Sequence, residues 1–336
     1  MSVTIKKIAQ LAEVSITTVS KVINGKDQDL RPGTVARVKA IIEQENYRPS
    51  VLAQSMRNRQ MRLIALMIPD IRNPFFTEII RGCEACTNKY NYSLVLCHTS
   101  NKLDKEIEYI NSLQSRHIDG VVLSGLQIQD RIIDNQLRIS VPFCFVTGNR
   151  RSGQQNSERS LGSNGSFIAT NHLIKLGHRN ILFTTGPSIY SHSHDGLAGY
   201  TESLKLHNIP LNKNNIINLS AFTAEVGFNE LLPILKTTKA TAIVCGNDLI
   251  AYGVLMALRK LKRSVPSEMS VIGYDDIEFN QFMTPALTSV NGNRYALGWD
   301  TTLELIEKIE ERVIEDYTPN VSIKLVERET CAPLKP

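Results

Sequence analysis

From residue 62 onward the sequence alternates short apolar runs with amphipathic segments, and this alternation limits the fold more than any other feature. The apolar runs are LIALMIP, YSLVLCHTS, GVVLSG, VPFCFVTG, NILFTTGP, TAIVCGND and SVIGYDD. Helical periodicity predicts helices between them, at about 74–90, 103–116, 164–177, 195–208, 223–236 and 247–262. Strands that are apolar throughout and alternate with helices predict parallel sheets covered by helices on both faces.

Basic residues are concentrated in the first fifth of the chain. Residues 1–62 contain 11 Lys and Arg against 5 Asp and Glu, whereas the other 274 residues contain 27 against 28. This asymmetry indicates a small nucleic-acid-binding head on a near-neutral body. No apolar run approaches the length of a membrane span, and the first residues lack the apolar core of a signal peptide. We therefore expect a cytoplasmic protein without a membrane partner.

The basic segment predicts two short helices joined by a tight turn. Thr4 is placed to cap the first helix and Ser15 to cap the second, which Asn24 and Gly25 close. Such a pair forms a helix-turn-helix, and the start of its second helix would face the major groove of DNA. A third helix is predicted at about 34–45. A three-helix bundle with no role in DNA binding has the same pattern, but the charge asymmetry favours DNA binding.

Longer motifs resemble one known family along essentially the whole chain. The segments TIKKIAQLAEVSITTVSKVIN and ENYRPSVLAQSMR are similar to the head and hinge of the lactose/galactose repressor (LacI/GalR) family of bacterial transcription regulators. The similarity continues through NPFF, HIDGVVLSG, NHLIKLGHRNI, GNDLIAYGVLMAL, VPSEMSVIGYDD and PALTSV. It implies an all-α helix-turn-helix head and an α/β body of two periplasmic-binding-protein-like (type I) parallel-sheet subdomains.

The resemblance also implies domain boundaries. The helix-turn-helix domain would span 1–47, the hinge helix and linker 48–61, and the effector-binding and dimerisation domain 62–336. The chain would cross between the two subdomains near 161, 291 and 320. The N-subdomain would then comprise about 62–161 and 292–320, and the C-subdomain about 162–291 and 321–336. Ligands of such folds bind at the carboxyl ends of strands, which here places them between the lobes.

The resemblance assigns DNA-binding roles in the head. The base-reading positions fall on Ile16, Thr17 and Lys21, and lysine lacks the planar fork of the arginine that the family most often has there. The other implied DNA contacts in the head are Thr4, Ser15, Thr18, Ser20, Asn24, Arg31, Thr34 and Tyr47. Two departures, Glu13 where glycine is frequent and Pro32 before the third helix, are expected to leave the fold intact.

The hinge of the family is a short helix that enters the minor groove at the operator centre. The implied hinge contacts are Ser50, Ala53, Met56 and Arg57. Met56 takes the place of the leucine that each protomer normally inserts between base pairs, and methionine is an acceptable apolar wedge. A helix this short does not persist alone in water, so we expect it to form only on DNA.

The implied effector-binding positions in the cleft combine aromatic and polar side chains. They are Phe75, Phe76, Phe222, Asn247 and Asp275. An aromatic ring can stack on the apolar face of a sugar, and an amide with a carboxylate suits the hydroxyls of a polyol. Core packing is an equally good interpretation of the phenylalanines, although Phe222 lies in a polar loop and is the better candidate for stacking.

Two polar positions of the family cleft are missing. Thr147 stands where aspartate is frequent, and Gly196 stands where almost every member has an arginine that clamps a hydroxyl or carboxylate. Arg294, beside the crossover near 291, or His194 can substitute for it, but a surface position is the favoured interpretation of both. Three outcomes stay open: a different sugar or sugar acid, a ligand bound mainly by stacking, or a regulator that responds to a protein or to no ligand.

An enzyme is not favoured, because GxGxxG, GxxxxGK[ST] and GxSxG are missing. The nearest approaches to metal ligands are the HSHD motif (His192, His194, Asp195) and the Cys83–Cys86 pair. We favour a hydrogen-bonding surface loop for the first and reduced thiols on a helix face for the second. We expect neither a cofactor nor a metal.

The sequence therefore predicts a homodimeric transcription regulator, a repressor, that binds a pseudo-palindromic operator in double-stranded DNA. A small carbohydrate or sugar-acid effector would control it through different affinities for the DNA-competent and incompetent states. The alternatives are the same DNA binder gated by a partner protein or by no ligand, and a pure sugar-binding module. The absence of a heptad tail favours a dimer over a tetramer.

Overall fold

A computed structural model describes residues 3–47, 60–125, 138–146, 161–188, 191–314 and 322–335. The chain divides into two compact units, Met1–Arg62 and Leu63–Pro336. The first unit contains three helices within its described residues: α1 (Ile5–Leu11), α2 (Ile16–Ile23) and α3 (Pro32–Gln44). The predicted third helix begins two residues too late, because Pro32 needs no donor partner at the first helical position.

The head has a small apolar core shared by its three helices. Its fully buried members are Ile8, Ala12, Val19 and Val38. The turn between α1 and α2 passes through Glu13, whose φ of 51° lies in the left-handed region. A residue with a side chain pays about 1–2 kcal/mol there, which glycine avoids. The fold accepts Glu13 nevertheless, as expected.

The body contains two sheets, each in its own lobe. Within the described residues the N-lobe sheet has the order β2-β1-β3-β4, and all its pairings are parallel. Its strands are β1 (Leu63–Ile68), β2 (Ser93–His98), β3 (Gly120–Leu123) and β4 (Phe143–Phe145). Its helices are α4 (Phe75–Lys89), α5 (Leu103–Ser115) and α10 (Arg294–Glu310).

Alternate residues of β1 pack into two separate cores. Ile64, Leu66 and Ile68 join the core formed with α4 and α10, whereas Ala65 and Met67 join the core formed with α5. The predicted parallel sheet with helices on both faces is therefore confirmed in this lobe.

The C-lobe sheet has the order β10-β9-β8-β7-β5-β6 within the described residues. Its strands are β5 (Ile181–Thr185), β6 (Ile216–Asn218), β7 (Ala242–Val244), β8 (Ser270–Tyr274), β9 (Thr288–Asn291) and β10 (Lys324–Val326). The edge strand β10 is antiparallel to β9, and the other pairings are parallel. Its helices are α6 (Leu161–Lys175), α7 (Ser191–Leu206), α8 (Ala224–Thr237) and α9 (Asp248–Lys260).

Helix α10 and the strands β6, β9 and β10 were not predicted from the sequence. Most of the first three turns of α10 is buried, so its apolar residues form no single stripe. Close approach to α4 requires glycine: a Cβ on Gly82 would lie 2.1 Å from the Tyr295 carbonyl oxygen, and one on Gly298 would lie 2.2 Å from the Ile79 carbonyl oxygen. The end of β9 leads directly into α10, so the chain passes from the C-lobe to the N-lobe between them.

The two cysteines of the CxxC motif lie on the buried face of α4 as free thiols, as predicted. The Cys83 thiol donates to the carbonyl oxygen of Gly298 at 3.4 Å. Burial raises the pKa of Cys83 to about 12. A thiol with so high a pKa is protonated at neutral pH and is not a nucleophile.

Candidate DNA-binding surface and ligand cleft

Local capping bonds define the helix-turn-helix. The Thr4 hydroxyl accepts from the Lys7 amide at 3.4 Å, and the Ser15 hydroxyl accepts from the Thr18 amide at 3.1 Å. These side chains satisfy donors that the first turn of a helix leaves unpaired. The hydroxyls of Ser15 and Thr18 also form a hydrogen bond at 2.9 Å. Thr4 therefore fixes the start of α1, and Ser15 fixes the start of α2.

The start of α2 presents its side chains to solvent. Ile16 keeps 44% of its surface exposed, which is unusual for isoleucine, and Thr17 is exposed beside it. One turn further on, the Lys21 ammonium forms an ion pair with the carboxylate of Asp29. The Lys21 hydrogen bond holds the pKa of Asp29 below its usual value. Asp29 was not predicted from the sequence, although an acidic residue in the loop after a lysine that is predicted to contact bases could have indicated such a pair.

The remaining predicted contacts of the head lie at the end of α2, at the start of α3 and after α3. Asn24 ends the helix, and its side-chain amide donates to the Ser20 carbonyl oxygen at 2.6 Å. Arg31 is exposed at the start of α3, whereas Thr34 and Tyr47 are half-buried. The hinge residues Ser50, Ala53, Met56 and Arg57 lie outside the described residues, so their roles stay predictions.

The two phenylalanines of NPFF play different parts in the N-lobe. Their rings meet edge to face with centroids 4.9 Å apart. Phe76 is buried in the core with α10, as the packing interpretation predicts. Phe75 is half-buried at the start of α4, and its ring faces the Arg294 guanidinium at 5.7 Å.

Phe222 and Asn247 are held together in the C-lobe. The ring of Phe222 lies against the backbone of Gly186, where an added Cβ would come within 2.1 Å of it. The Asn247 side chain caps α9 by accepting from the Ile250 amide at 2.9 Å, and its amide group lies 3.4 Å from the Phe222 carbonyl oxygen. Both polar groups of the Asn247 side chain therefore already form hydrogen bonds within the protein.

Asp275 and Arg294 form a buried ion pair that joins the two lobes. Asp275 follows β8 in the left-handed region, with a φ of 118°, and only 5% of its surface is exposed. The Asp275 Oδ1 atom lies 3.8 Å from Arg294 Nη1, which is beyond hydrogen-bond distance. Burial raises the pKa of Asp275 well above its usual value, and the nearby Arg294 opposes that shift.

The prediction that Arg294 lies on the surface is wrong. Only 6% of Arg294 is exposed, because β9 delivers it to the buried start of α10 between the lobes. Its Nε and Nη1 atoms have no hydrogen-bond partner within the described part of the chain. A charged donor buried in this way costs about 1–3 kcal/mol or more.

The other cleft predictions have mixed outcomes. His194 is exposed, as the surface interpretation predicts, and its Nε2 atom lies 2.8 Å from the Ser188 carbonyl oxygen. The HSHD motif opens helix α7, so its assignment to a loop is wrong. Gly196 is buried on α7, where an added Cβ would lie 3.2 Å from the Phe183 ring and 3.3 Å from the Ser166 hydroxyl. Thr147 lies outside the described residues.

Membrane-spanning helices and metal-binding clusters are both absent from the described residues. No helix among these residues is long and apolar enough to cross a membrane. Over the same residues, no group of three or more His, Cys, Asp and Glu side chains is arranged to hold a metal ion.

The structure combines a helix-turn-helix head with an α/β body of two lobes, which is the organisation of a two-part DNA-binding regulator. Residues 4–50 match the family of bacterial regulatory proteins of the lacI type, and residues 170–331 match the periplasmic binding protein-like domain. The transcriptional regulator RegA of Clostridium acetobutylicum is 32% identical over 98% of this chain and 100% of its own length. The chain belongs to the lacI family of DNA-binding transcription regulators and is not an enzyme.

Further relatives agree with this assignment. The ribose operon repressor of Halalkalibacterium halodurans is 30% identical over 97% of this chain and 96% of its own length. The crystal structure of the lac repressor dimer bound to operator has the same fold, with a TM-score of 0.84. That comparison covers 99% of this chain and 100% of the lac repressor chain at 23% identity.

Proposed function

We propose that this chain is a homodimeric repressor that reads a pseudo-palindromic operator through α2. A small carbohydrate that binds between the lobes would control its affinity for the operator. The observation that carries the DNA-binding part is the exposed start of α2, where Ile16 and Thr17 project from a rigidly capped helix. An apolar side chain there can contact a thymine methyl group, and a threonine hydroxyl can pair with either base edge. The resemblance to operator-binding repressors supports the same conclusion.

Exposed apolar side chains on the body support the dimer. On the C-lobe, Phe282 keeps 71% of its surface exposed in the 3₁₀ segment Glu278–Phe282, and Phe279 and Met256 are also exposed. The Tyr252 hydroxyl donates to Asn280 at 2.7 Å and thereby ties this segment to α9, which carries Met256. Large apolar side chains left exposed together mark interaction surfaces. On the N-lobe, the edge strand β2 exposes Val95 and Leu96.

The cleft supports a small-molecule effector. Phe75 from the N-lobe, and Arg294 with Asp275 at the lobe junction, bring one aromatic face and two polar groups together. This combination suits a sugar, which has apolar ring faces and hydroxyls that both donate and accept. A body gated by a partner protein is the second candidate, and the absence of an arginine at Gly196 favours it.

A footprint with the full-length protein tests the proposal. Duplexes selected from a random pool should show two protected half-sites related by two-fold symmetry, one or more helical turns apart. Binding should weaken steeply with salt, because Lys and Arg contacts to phosphates release counterions. A single unsymmetrical protected site, or no protection at moderate salt, contradicts the proposed operator binding.

A further inference from the structure

Arg294 is a buried cation in a position that is unfavourable for the stability of the fold. It is the first residue of α10, where the positive end of the helix dipole disfavours a cation. Its Nε and Nη1 atoms lack hydrogen-bond partners among the described residues, although 94% of the residue is withdrawn from solvent. Buried polar groups in native proteins are hydrogen-bonded with few exceptions. The Nε and Nη1 atoms of Arg294 are therefore available to bind a partner from outside the chain.

The surroundings of Arg294 specify what that partner must be. On one side the Phe75 ring covers the guanidinium at 5.7 Å, and on another the Asp275 carboxylate lies 3.8 Å from Nη1. No described residue donates a hydrogen bond to that carboxylate, so both members of the pair retain hydrogen-bonding capacity. A hydroxyl placed beside the pair can accept from the guanidinium and donate to the carboxylate at once, whereas an anion can only accept.

The carboxyl groups around the pair disfavour an anionic ligand. Asp248 is fully buried near Asp275, and its carboxylate accepts from the Ile277 amide, the Asn280 amide group and the Ser289 hydroxyl at 2.6–2.9 Å. The carboxyl groups of Asp248 and Asp275 thus both lie near the Arg294 guanidinium, whereas the neighbouring Asp276 is paired with Arg328. A carboxylate or phosphate entering the site would meet Asp275 at close range, where it has no proton to donate to that carboxylate and repels it in the ionised form. A neutral polyol adds no charge.

We infer that Arg294 and Asp275 together form a hydroxyl-binding site for a neutral polyol, with Arg294 supplying from the crossover the guanidinium that position 196 lacks. This inference rests on the proposed effector function of the cleft. The sequence predicts a sugar or a sugar acid as the effector, and this inference restricts the effector to a neutral sugar. Packing is consistent with a guanidinium at position 294 instead of position 196, because Phe183 and Ser166 leave little room for a side chain at Gly196.

Thermal-shift and calorimetric titrations of the full-length protein test this inference. The probes are ribose, glucose and cellobiose, with ribose 5-phosphate, ribonate and gluconate as anionic counterparts. At least one neutral sugar should raise Tm, and its anionic counterpart should bind at least about tenfold more weakly. Arg294→Gln should weaken binding of the active sugar by about tenfold or more, as loss of a charged hydrogen bond does. Arg294→Lys, which keeps the charge without the fork, should lose part of that affinity.

The matched control is Arg81→Gln. The Arg81 guanidinium lies 5.9 Å from the Tyr295 ring, so this variant removes the same charge from a similar aromatic contact outside the cleft. It should bind the sugar as the parent does. The Tm of each variant without sugar shows that the body is folded, and operator footprints separate the two proposals, since a lost footprint contradicts the proposed function itself. Tighter binding of an anion, unchanged affinity in Arg294→Gln, or no shift with any probe despite an intact footprint overturns the inference.

Discussion

Replacing Asp29 by asparagine should release Lys21 and make DNA binding stronger but less selective. Lys21 lies on α2, the helix that we propose reads the operator, and in the unbound head its ammonium is paired with the Asp29 carboxylate. Asp29 keeps 63% of its side chain exposed, so its negative charge also faces any approaching phosphate. Wild-type Lys21 must leave this partner before it can contact DNA, whereas in Asp29→Asn it is free to bind a phosphate of any sequence.

The counterion-release relation sets the size of the effect. Each lysine that gains a phosphate steepens the slope of log K against log salt by about 0.9. A dimer contains two such lysines, so the slope for non-specific DNA should steepen by about 2. Between 200 and 50 mM salt, the variant should then gain roughly tenfold more affinity for non-specific DNA than the wild-type protein gains.

Fluorescence anisotropy on two labelled duplexes measures both quantities. One duplex is selected by the wild-type protein from a random pool, and the other is a scrambled sequence of equal length. Asp27→Asn is the matched control: it removes the same charge two residues away, and within the described head the Asp27 side chain makes no ion pair. Equal salt slopes in the two variants would show that the pair does not restrain Lys21. A loss confined to the selected duplex would show that Asp29 itself contacts a base.

Three further outcomes follow from the structure and the hinge. Met56→Ala should weaken binding to the selected duplex more than to the scrambled one, because only a specific site is kinked around the wedge; equal losses in anisotropy titrations would refute that role. Phe282→Asp should shift the protein from dimer to monomer in sedimentation velocity, since a charge replaces an exposed apolar side chain, and an unchanged dimer would place the interface elsewhere. Burial raises the pKa of Asp248, which faces Asp275 and Arg294, from 3.8 to about 6. Between these values the folded state binds more protons than the unfolded chain, so the free energy of unfolding falls as pH rises. Asp248→Asn should flatten that part of the profile in urea titrations at pH 4, 5 and 6, and an unchanged slope would exclude this carboxyl as the cause.

Features encoded by neighbouring residues could be predicted from the sequence, and those that depend on distant packing could not. The caps at Thr4 and Ser15 are hydrogen bonds to residues three positions away, so the local pattern contains all the information. The burial of Arg294 depends instead on the lobes meeting around a crossover, and no local pattern records it. The NPFF motif likewise does not distinguish Phe75 from Phe76. In the structure Phe76 is buried in the core with α10, whereas the Phe75 ring faces the Arg294 guanidinium.

Moving the guanidinium changes how a ligand can connect the lobes. A side chain at position 196 would project from α7, and Asp275 follows β8, so in the family pattern both groups belong to the C-lobe. Here Arg294 starts α10, which packs in the N-lobe core with α4. One hydroxyl bridging Arg294 and Asp275 therefore contacts both lobes. Its binding free energy then depends directly on the separation of the lobes, which is the differential affinity that an effector needs to shift a conformational equilibrium. For the same reason, Arg294→Gln should uncouple sugar binding from operator binding as well as weaken it.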